Sequence, residues 1–429
     1  MGNRTGHIFQ AIFAVLSGFS GIAVSGLMAV SCGPRGTELP RGDWNNEVHE
    51  VLSQVIAEDG IAGRQSGVEC RPYAVFDFDN TTIVNDISIT LMLYQIENLR
   101  YEFPPEDAFG IFSAWIPDLD TVMTGVGMTV REVCRDLAAD YAALYPFTSG
   151  AGKIMSRAEG AEVKEAHTSS GRCSTAAAGK DEKPGDAGFR QECPDFREMP
   201  EYQDFRAKLA ALERGIEYTF SYADWCLWMP ALFSGMTSEE LAGLTVESAD
   251  FWLVSGRIWT ETWSSPDGKV STEVLKGLII PEDSIRLFET LRRNGFGIYI
   301  CSASLEIIVE AMACNGKYGL GFSPDEVFGL RMTGDRDEGN ILGANGFDPD
   351  YSQTFLEGKV KCIEELIAPR HCGRAPSLIA GDSSGDYAML TSFSDLKAGL
   401  IINRGHSPLL GLAAEDGACS TKYVVQQRF

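Results

Sequence analysis

The 429-residue chain lacks the features that usually indicate a zinc protein or a nucleic-acid-binding protein. It has no Cys-x-x-Cys pair, and its five histidines are scattered, which disfavours zinc. Lysine and arginine total 36 against 60 aspartates and glutamates, and they form no stripe that could bind a phosphate backbone. Neither a P-loop nor an internal repeat is present. With a net charge of −24, the composition argues against nucleic acid as a partner.

The most informative stretch is the sequence DFDNT at residues 77–81, which follows the apolar run Tyr73–Phe76. That run predicts a buried strand, and residues two apart in a strand point to the same side. Asp77 and Asp79 would therefore share the carboxyl end of the strand, where open α/β sheets bind their ligands. Paired carboxylates repel each other unless a cation and a substrate offset their charge. The alternative interpretation is the N-terminal cap of an ordinary helix.

Two later segments add a small polar group and an amine. Ser302 and Ala303 follow a predicted strand at residues 296–301. Lys359 opens a helical pattern, in which Lys361 is a competing amine. Each of these segments is weak evidence alone, and their order along the chain gives them weight.

A second carboxylate pair completes the series. The apolar run Leu378–Ala380 leads into the sequence GDSSGD, which contains Asp382 and Asp386. The order of carboxylate pair, small polar residue, amine and carboxylate pair resembles the haloacid dehalogenase superfamily of aspartate-nucleophile phosphatases. The first and last of these four motifs are specific, because each contains two acidic residues at a defined spacing.

The resemblance implies a covalent mechanism of phosphate-ester hydrolysis. Asp77 would attack phosphorus and form an aspartyl-phosphate, which divides one difficult displacement into two. Asp79 would protonate the leaving oxygen and later deprotonate the hydrolytic water. Ser302, the backbone N–H of Ala303 and the amine of Lys359 would bind the phosphoryl oxygens.

The resemblance also implies Mg²⁺ as the cofactor. Its ligands would be the side chains of Asp77 and Asp382 and the main-chain carbonyl of Asp79, since Mg²⁺ prefers oxygen ligands. Asp386 would complete the metal site by orienting a metal-bound water or Lys359.

The predicted fold class is α/β, with a doubly wound parallel-sheet (Rossmannoid) core and a largely helical cap inserted after the first motif. About two hundred residues separate the first motif from the second, far more than an ordinary strand-to-helix connection needs. We expect the core at 45–87 and 281–429, the cap at 88–280, and a surface or disordered loop at 148–198. Helical patterns within the predicted cap occur at residues 88–99, 130–144, 201–218 and 238–252.

Several stretches of the core resemble exported members of the phosphoserine phosphatase and phosphorylcholine phosphatase branch. The resemblance to that branch implies that the carboxylate of Asp86 contacts a cationic headgroup of the substrate. The alternative is that Asp86 caps the N-terminus of a helix. Cap aromatics could cage a quaternary ammonium by cation–π attraction, or they could be the cap's core. These aromatics are Tyr94, Tyr101, Phe103, Trp115, Trp225, Trp228 and Trp252.

The N-terminus reads as a targeting segment. Residues 1–31 contain a long uncharged apolar run that ends at Cys32 and resembles a bacterial lipoprotein signal. Cys32 would then carry lipid and 32–44 would form a tether. An uncleaved membrane anchor is the alternative, since the run is long enough to span a bilayer. Both predict an exported, membrane-tethered protein, in the periplasm or at the cell surface, and neither implies a protein partner.

The remaining cysteines suggest one disulfide and one buried thiol. Cys173 and Cys193 flank a polar segment and could pair in an oxidising compartment. Cys301 lies within a predicted core strand, where a thiol behaves as a small apolar side chain.

Three functions are compatible with the sequence. The first is an Mg²⁺-dependent phosphomonoesterase for a small phosphorylated metabolite, an amino-alcohol phosphate such as phosphorylcholine. The second is a lipoprotein acid phosphatase or nucleotidase, whose fourth motif usually differs from the one here. The third is a non-enzymatic surface-binding lipoprotein.

Overall fold

A computed structural model describes residues 36–61, 70–151, 195–337, 339, 342–404, 409–416 and 422–428. Its centre is a six-stranded, all-parallel sheet with strand order β5-β4-β1-β6-β7-β8. The predicted α/β parallel-sheet core is confirmed. The six strands are β1 Tyr73–Phe76, β4 Gly297–Leu305, β5 Val327–Leu330, β6 Leu378–Gly381, β7 Ala398–Asn403 and β8 Tyr423–Gln427.

Strand β1 lies in the interior of this sheet and is buried on both faces. Ala74 and Phe76 pack into one hydrophobic cluster, and Tyr73 and Val75 pack into a second cluster on the opposite face. Such two-sided burial is typical of parallel sheets whose faces are both covered by helices, and it explains the continuous apolar run. Because β4 and β6 flank β1 in parallel, their carboxyl ends meet at one edge.

Six described helices accompany the sheet strands along the chain. The first begins after Asn45, whose side chain accepts a hydrogen bond from the amide of Val48. That cap explains why the predicted helix begins here. The helices are α1 Asn46–Asp59, α8 Glu282–Arg293, α9 Glu306–Ala313, α10 Glu357–Cys362, α11 Tyr387–Thr391 and α12 Leu410–Asp416.

The segment between β1 and α8 contains the other described α-helices. All four helical patterns of the predicted cap form helices, and two of them begin with a capping box at Thr129 and Thr237. The helices are α2 Ile87–Asn98, α3 Ala108–Phe112, α4 Val130–Leu144, α5 Pro200–Thr219, α6 Tyr222–Trp228 and α7 Ser238–Leu253.

A β-hairpin in the same segment was not predicted. Strands β2, Trp259–Ser264, and β3, Ser271–Lys276, pair antiparallel. The sequence signal was present, because Pro-Asp-Gly at 266–268 separates two runs of alternating side chains. The side-chain amide of Asn85 donates to the carbonyls of Leu275 and Gly277, which fastens the hairpin beside the first motif.

A disulfide joins Cys70, just before β1, to Cys372. The two cysteines are 302 residues apart in sequence, so spacing gave no indication of the pair. The predicted pair Cys173–Cys193 lies outside the described residues. Cys301 is fully buried in β4, as predicted.

The predicted signal segment 1–31 and Cys32 also lie outside the described residues, as does most of the predicted loop 148–198. Within the predicted tether, Leu39 and Trp44 pack into the hydrophobic core. None of the helices in the described part of the chain combines the length and apolarity that a membrane span needs.

Candidate active site

The first motif begins where β1 ends. The amide of Asp77 donates to the carbonyl of Ala380 at 3.0 Å, which continues the pairing of β1 with β6 for one more residue. The Thr82 hydroxyl donates to the main-chain carbonyl of Asp77 at 2.7 Å and so holds the turn that follows. The carboxylate of Asp77 therefore lies at the carboxyl edge of the sheet, as predicted.

Lys359 bridges the first and fourth motifs. Its ammonium lies 2.6 Å from Asp77 Oδ1 and 2.7 Å from Asp386 Oδ1, and its side chain is only 2 % exposed. Burial disfavours the charged amine, but the two carboxylates outweigh burial and raise the pKa of Lys359 well above its usual value. Lys361 is exposed, so the buried amine of this site is Lys359.

Three carboxylates of these motifs form a cluster. Asp77, Asp382 and Asp386 each have an oxygen within 4.8 Å of the others. Burial, together with the neighbouring carboxylates, raises the pKa of Asp77 to about 7 and that of Asp382 well above its usual value. This repulsion and the all-oxygen donor set fit a hard divalent cation. The carboxylate of Asp79 is not in this group, and its predicted contribution is a main-chain carbonyl.

Asp386 also shapes the fourth motif. Its Oδ2 accepts from the amides of Asp382, at 3.0 Å, and Ser383, at 3.1 Å, while Oδ1 accepts from Lys359. These contacts match the predicted role of orienting Lys359.

Asp79 lines the same cavity as Asp77 and contacts the second motif. Its Oδ2 accepts from the hydroxyls of Ser304, at 2.7 Å, and Ser302, at 3.3 Å, and its Oδ1 accepts from the amide of Ile87. Burial, together with the charge of Asp86, raises the pKa of Asp79 to about 7. A carboxyl with this pKa can hold a proton near neutral pH, which a general acid requires.

Ser304 is a site residue that the sequence reasoning did not assign. Its amide donates to Ser302 Oγ at 3.0 Å, and Ser304 and Ala303 both line the cavity next to the carboxylates. Because Ser302 and Ser304 are two apart at the end of β4, their shared orientation could have been predicted from the strand pattern.

Asp86 caps a helix and also faces the cavity. Its side chain accepts from the amide of Ile89 at 2.9 Å, which is the N-cap contact of α2. Burial raises the pKa of Asp86 to about 7. The N-cap alternative is therefore confirmed, and the predicted headgroup contact remains a prediction.

The cavity that contains these groups has a volume of about 450 Å³. Residues of the four motifs form one wall, and residues of α5 and α6 form a second wall. That second wall includes Glu213 and Glu217 of α5 and Tyr222 and Trp225 of α6. None of these except Trp225 was proposed from the sequence, although Glu213 and Glu217 are spaced four apart and therefore share a helix face.

The second wall combines negative charge with aromatic surface. The indole N–H of Trp225 donates to Glu213 at 2.9 Å, and the ring of Tyr222 stacks on that of Trp225. Burial raises the pKa of Glu213 to about 7. Among the other aromatics considered for a cation cage, Trp228 and Trp252 are buried in the hydrophobic core.

Comparisons with known proteins found distant similarity to a curated phosphatase and to a solved structure. The chain is 26 % identical over 198 residues to a phosphorylcholine phosphatase of Pseudomonas aeruginosa, a match that covers 41 % of this chain. It spans about half the length of that relative, 54 %. A crystal structure of a conserved protein of unknown function from Anaerococcus prevotii superposes with a TM-score of 0.73 at 25 % identity, covering 91 % of this chain and 94 % of that one. No family model matches. The distant similarity supports the haloacid-dehalogenase-like resemblance of the four motifs.

Proposed function

We propose that this protein is an Mg²⁺-dependent phosphomonoester hydrolase that uses Asp77 as its nucleophile and acts on a small amino-alcohol phosphate such as phosphorylcholine. The observation that carries the proposal is the contact of Lys359 with both Asp77 and Asp386 in a buried carboxylate cluster. Asp79 lies two residues from the nucleophile and faces the same cavity. The similarity to a phosphorylcholine phosphatase supports the same reaction class.

Asp77 supplies the electron pair for the first step. Its carboxylate oxygen forms a bond to phosphorus while the ester P–O bond breaks, which leaves an aspartyl-phosphate and an alcohol. The Lys359 ammonium favours the ionised form of Asp77 and offsets charge on the phosphoryl oxygens. Because Asp386 also holds this ammonium, the amine is oriented before the ester binds.

Asp79 supplies and recovers the proton. Its carboxyl gives a proton to the departing alkoxide, and the resulting carboxylate then takes a proton from the water that hydrolyses the aspartyl-phosphate. The hydroxyls of Ser302 and Ser304 hold this carboxyl in place through hydrogen bonds to Oδ2. An orientation fixed in advance lowers the entropic cost of each proton transfer.

The residues that would hold Mg²⁺ are Asp77 and Asp382, with the main-chain carbonyl of Asp79. When bound, the ion supplies positive charge that lets an anionic nucleophile approach an anionic ester. Asp386 keeps Asp382 in place through its hydrogen bond to the Asp382 amide.

The wall formed by α5 and α6 supports a cationic leaving group. Glu213 and Glu217 supply carboxyl groups, and Tyr222 and Trp225 supply aromatic surface; Asp86, at the N-cap of α2, adds a further carboxyl group to the cavity. A quaternary or primary ammonium is attracted both to carboxylates and to aromatic faces. Where these carboxyl groups are ionised, they repel the anionic carboxylate of phosphoserine.

We test the proposal with a generic aryl phosphate and a substrate panel. We expect Mg²⁺-dependent turnover in the wild type, loss of turnover in Asp77→Asn, and normal turnover in the exposed control Asp395→Asn. The panel compares phosphorylcholine and phosphoethanolamine with phosphoserine, glycerol phosphate and AMP, and we expect the two cationic esters to have the highest kcat/KM. Absence of turnover on every ester would refute the proposed hydrolase activity. A preference for AMP would instead support the alternative function of a nucleotidase.

We also propose that the protein is exported and tethered to a membrane through lipid on Cys32. The disulfide between Cys70 and Cys372 supports export, because such bonds persist in oxidising compartments. Cys32→Ala should abolish incorporation of labelled fatty acid and release the protein from the membrane fraction. Retention of the variant in that fraction, without label, would support the uncleaved anchor.

A further inference from the structure

Arg404 lies next to the carboxylate cluster and was not considered in the sequence analysis. It directly follows β7, the neighbour of the strand β6 that leads into Asp382. Its Nη2 lies 2.8 Å from Asp382 Oδ2, with the Arg404 side chain 40 % exposed and that of Asp382 4 % exposed. A half-exposed guanidinium therefore covers a buried carboxylate that the proposed metal site needs.

The same guanidinium lines the cavity and acts on two further carboxyl groups there. Burial raises the pKa values of Asp86 and Glu217, and the positive charge of Arg404 opposes both shifts. Arg404 is thus within electrostatic reach of the motif wall and of the helix wall between which an ester would bind. The side chain both lines the cavity and is partly exposed, so packing does not enclose it on all sides.

A charge balance shows why a change of partners is expected. When Asp77, Asp382 and Asp386 are all ionised, as binding of a divalent ion requires, they carry three negative charges. Lys359 and Arg404 carry two positive charges, which leaves a net charge of −1. A divalent ion that takes an oxygen of Asp382 competes directly with the guanidinium for that carboxylate. With the divalent ion bound, the net charge of the site is +1. A dianionic phosphate ester then brings the net charge to −1 if Arg404 stays in the cavity, and to −2 if Arg404 leaves it.

We propose that Arg404 is a phosphoryl-binding residue that rests on Asp382 in the metal-free protein and transfers to the phosphoryl oxygens once Asp382 is released to a divalent ion. The planar guanidinium suits this role, because it can donate two parallel hydrogen bonds to one phosphate. The inference rests on the proposed function, since it assumes that the cavity binds a divalent ion and a phosphate ester.

The first test measures Mg²⁺ binding by calorimetry in the absence of phosphate. Arg404→Gln removes the competing cation, so we expect the variant to bind Mg²⁺ about fivefold more tightly, the equivalent of a favourable ion pair near the surface. Unchanged or weaker Mg²⁺ binding would overturn the inference.

The second test measures inorganic phosphate binding at saturating Mg²⁺. Arg404→Gln should weaken phosphate binding about 10- to 100-fold, as expected for loss of a hydrogen bond between charged groups. Arg404→Lys keeps the positive charge but cannot donate two parallel hydrogen bonds to one phosphate. It should therefore recover part of the lost phosphate affinity. Equal phosphate affinity in the wild type and Arg404→Gln would overturn the inference.

Arg214→Gln is the matched control. Arg214 belongs to α5, is exposed and lines the same cavity. Its replacement removes one positive charge from the cavity but leaves the ion pair between Arg404 and Asp382 intact. We expect both affinities of this variant to stay within about twofold of the wild type. If the wild-type protein binds neither Mg²⁺ nor phosphate, the proposed function is refuted. If it binds both but the affinities of the Arg404 variants do not change as expected, only the role of Arg404 is refuted.

Discussion

Lys359→Met removes the cation at the centre of the candidate site. The ammonium lies 2.6 Å from Asp77 and 2.7 Å from Asp386, and its side chain is 2 % exposed. Methionine fills similar space without charge, so both carboxylates stay buried without their shared partner. Removal of one partner of a buried ion pair costs about 3–5 kcal/mol, and we expect the free energy of unfolding to fall by that amount at pH 8.

The stability lost in Lys359→Met should be larger at high pH than at low pH. Burial, with the charge of Asp386, raises the pKa of Asp77 to about 7 even though Lys359 opposes the shift. Without the ammonium, the folded-state pKa of Asp77 rises further above its unfolded value. A group of this kind destabilises the fold as pH rises toward its folded pKa, because the folded state binds more protons than the unfolded state. The difference between Lys359→Met and the wild type should therefore be smaller at pH 5 than at pH 8.

Urea denaturation followed by tryptophan fluorescence at both pH values measures this difference. Lys361→Met is the matched control, because Lys361 is on the same helix but is exposed. We expect the control to change stability by less than about 0.5 kcal/mol. Equal losses for the two variants at pH 8 would refute the view that Lys359 compensates the buried carboxylates.

Three further predictions concern the acid, the headgroup and the disulfide. Asp79→Asn should lower kcat/KM about 10²- to 10⁴-fold for an alkyl phosphate but less for p-nitrophenyl phosphate, whose leaving group needs no proton; equal losses of kcat/KM would argue against proton donation. Asp86→Asn keeps a good N-cap for α2 and should raise KM for phosphorylcholine but not for glycerol phosphate, whereas a uniform rise would indicate a capping role alone. Cys372→Ser should cost about 2–5 kcal/mol in urea unfolding, a loss that reductant should reproduce in the wild type but not deepen in the variant.

The sequence predicted the central elements of the fold because their signals are local. The apolar run of β1 is buried on both faces, and the helix of residues 130–144 has the predicted bounds because Thr129 and Glu132 form its capping box. The hairpin of β2 and β3 was missed even though its Pro-Asp-Gly turn is visible, since a long segment rich in helical patterns suggested helices throughout.

The sequence by itself singled out the side chains of the motif wall, because the acidic pairs, the serine and the lysine occur in a distinctive order along the chain. Only the tertiary structure decided which groups meet across the cavity. Burial distinguished Lys359 from Lys361, and folding brought Glu213 and Arg404 to the lining of one cavity. The Cys70–Cys372 pair depended on folding in the same way, because contacts between residues hundreds of positions apart depend on how helices and strands pack and leave no periodic signal in the chain.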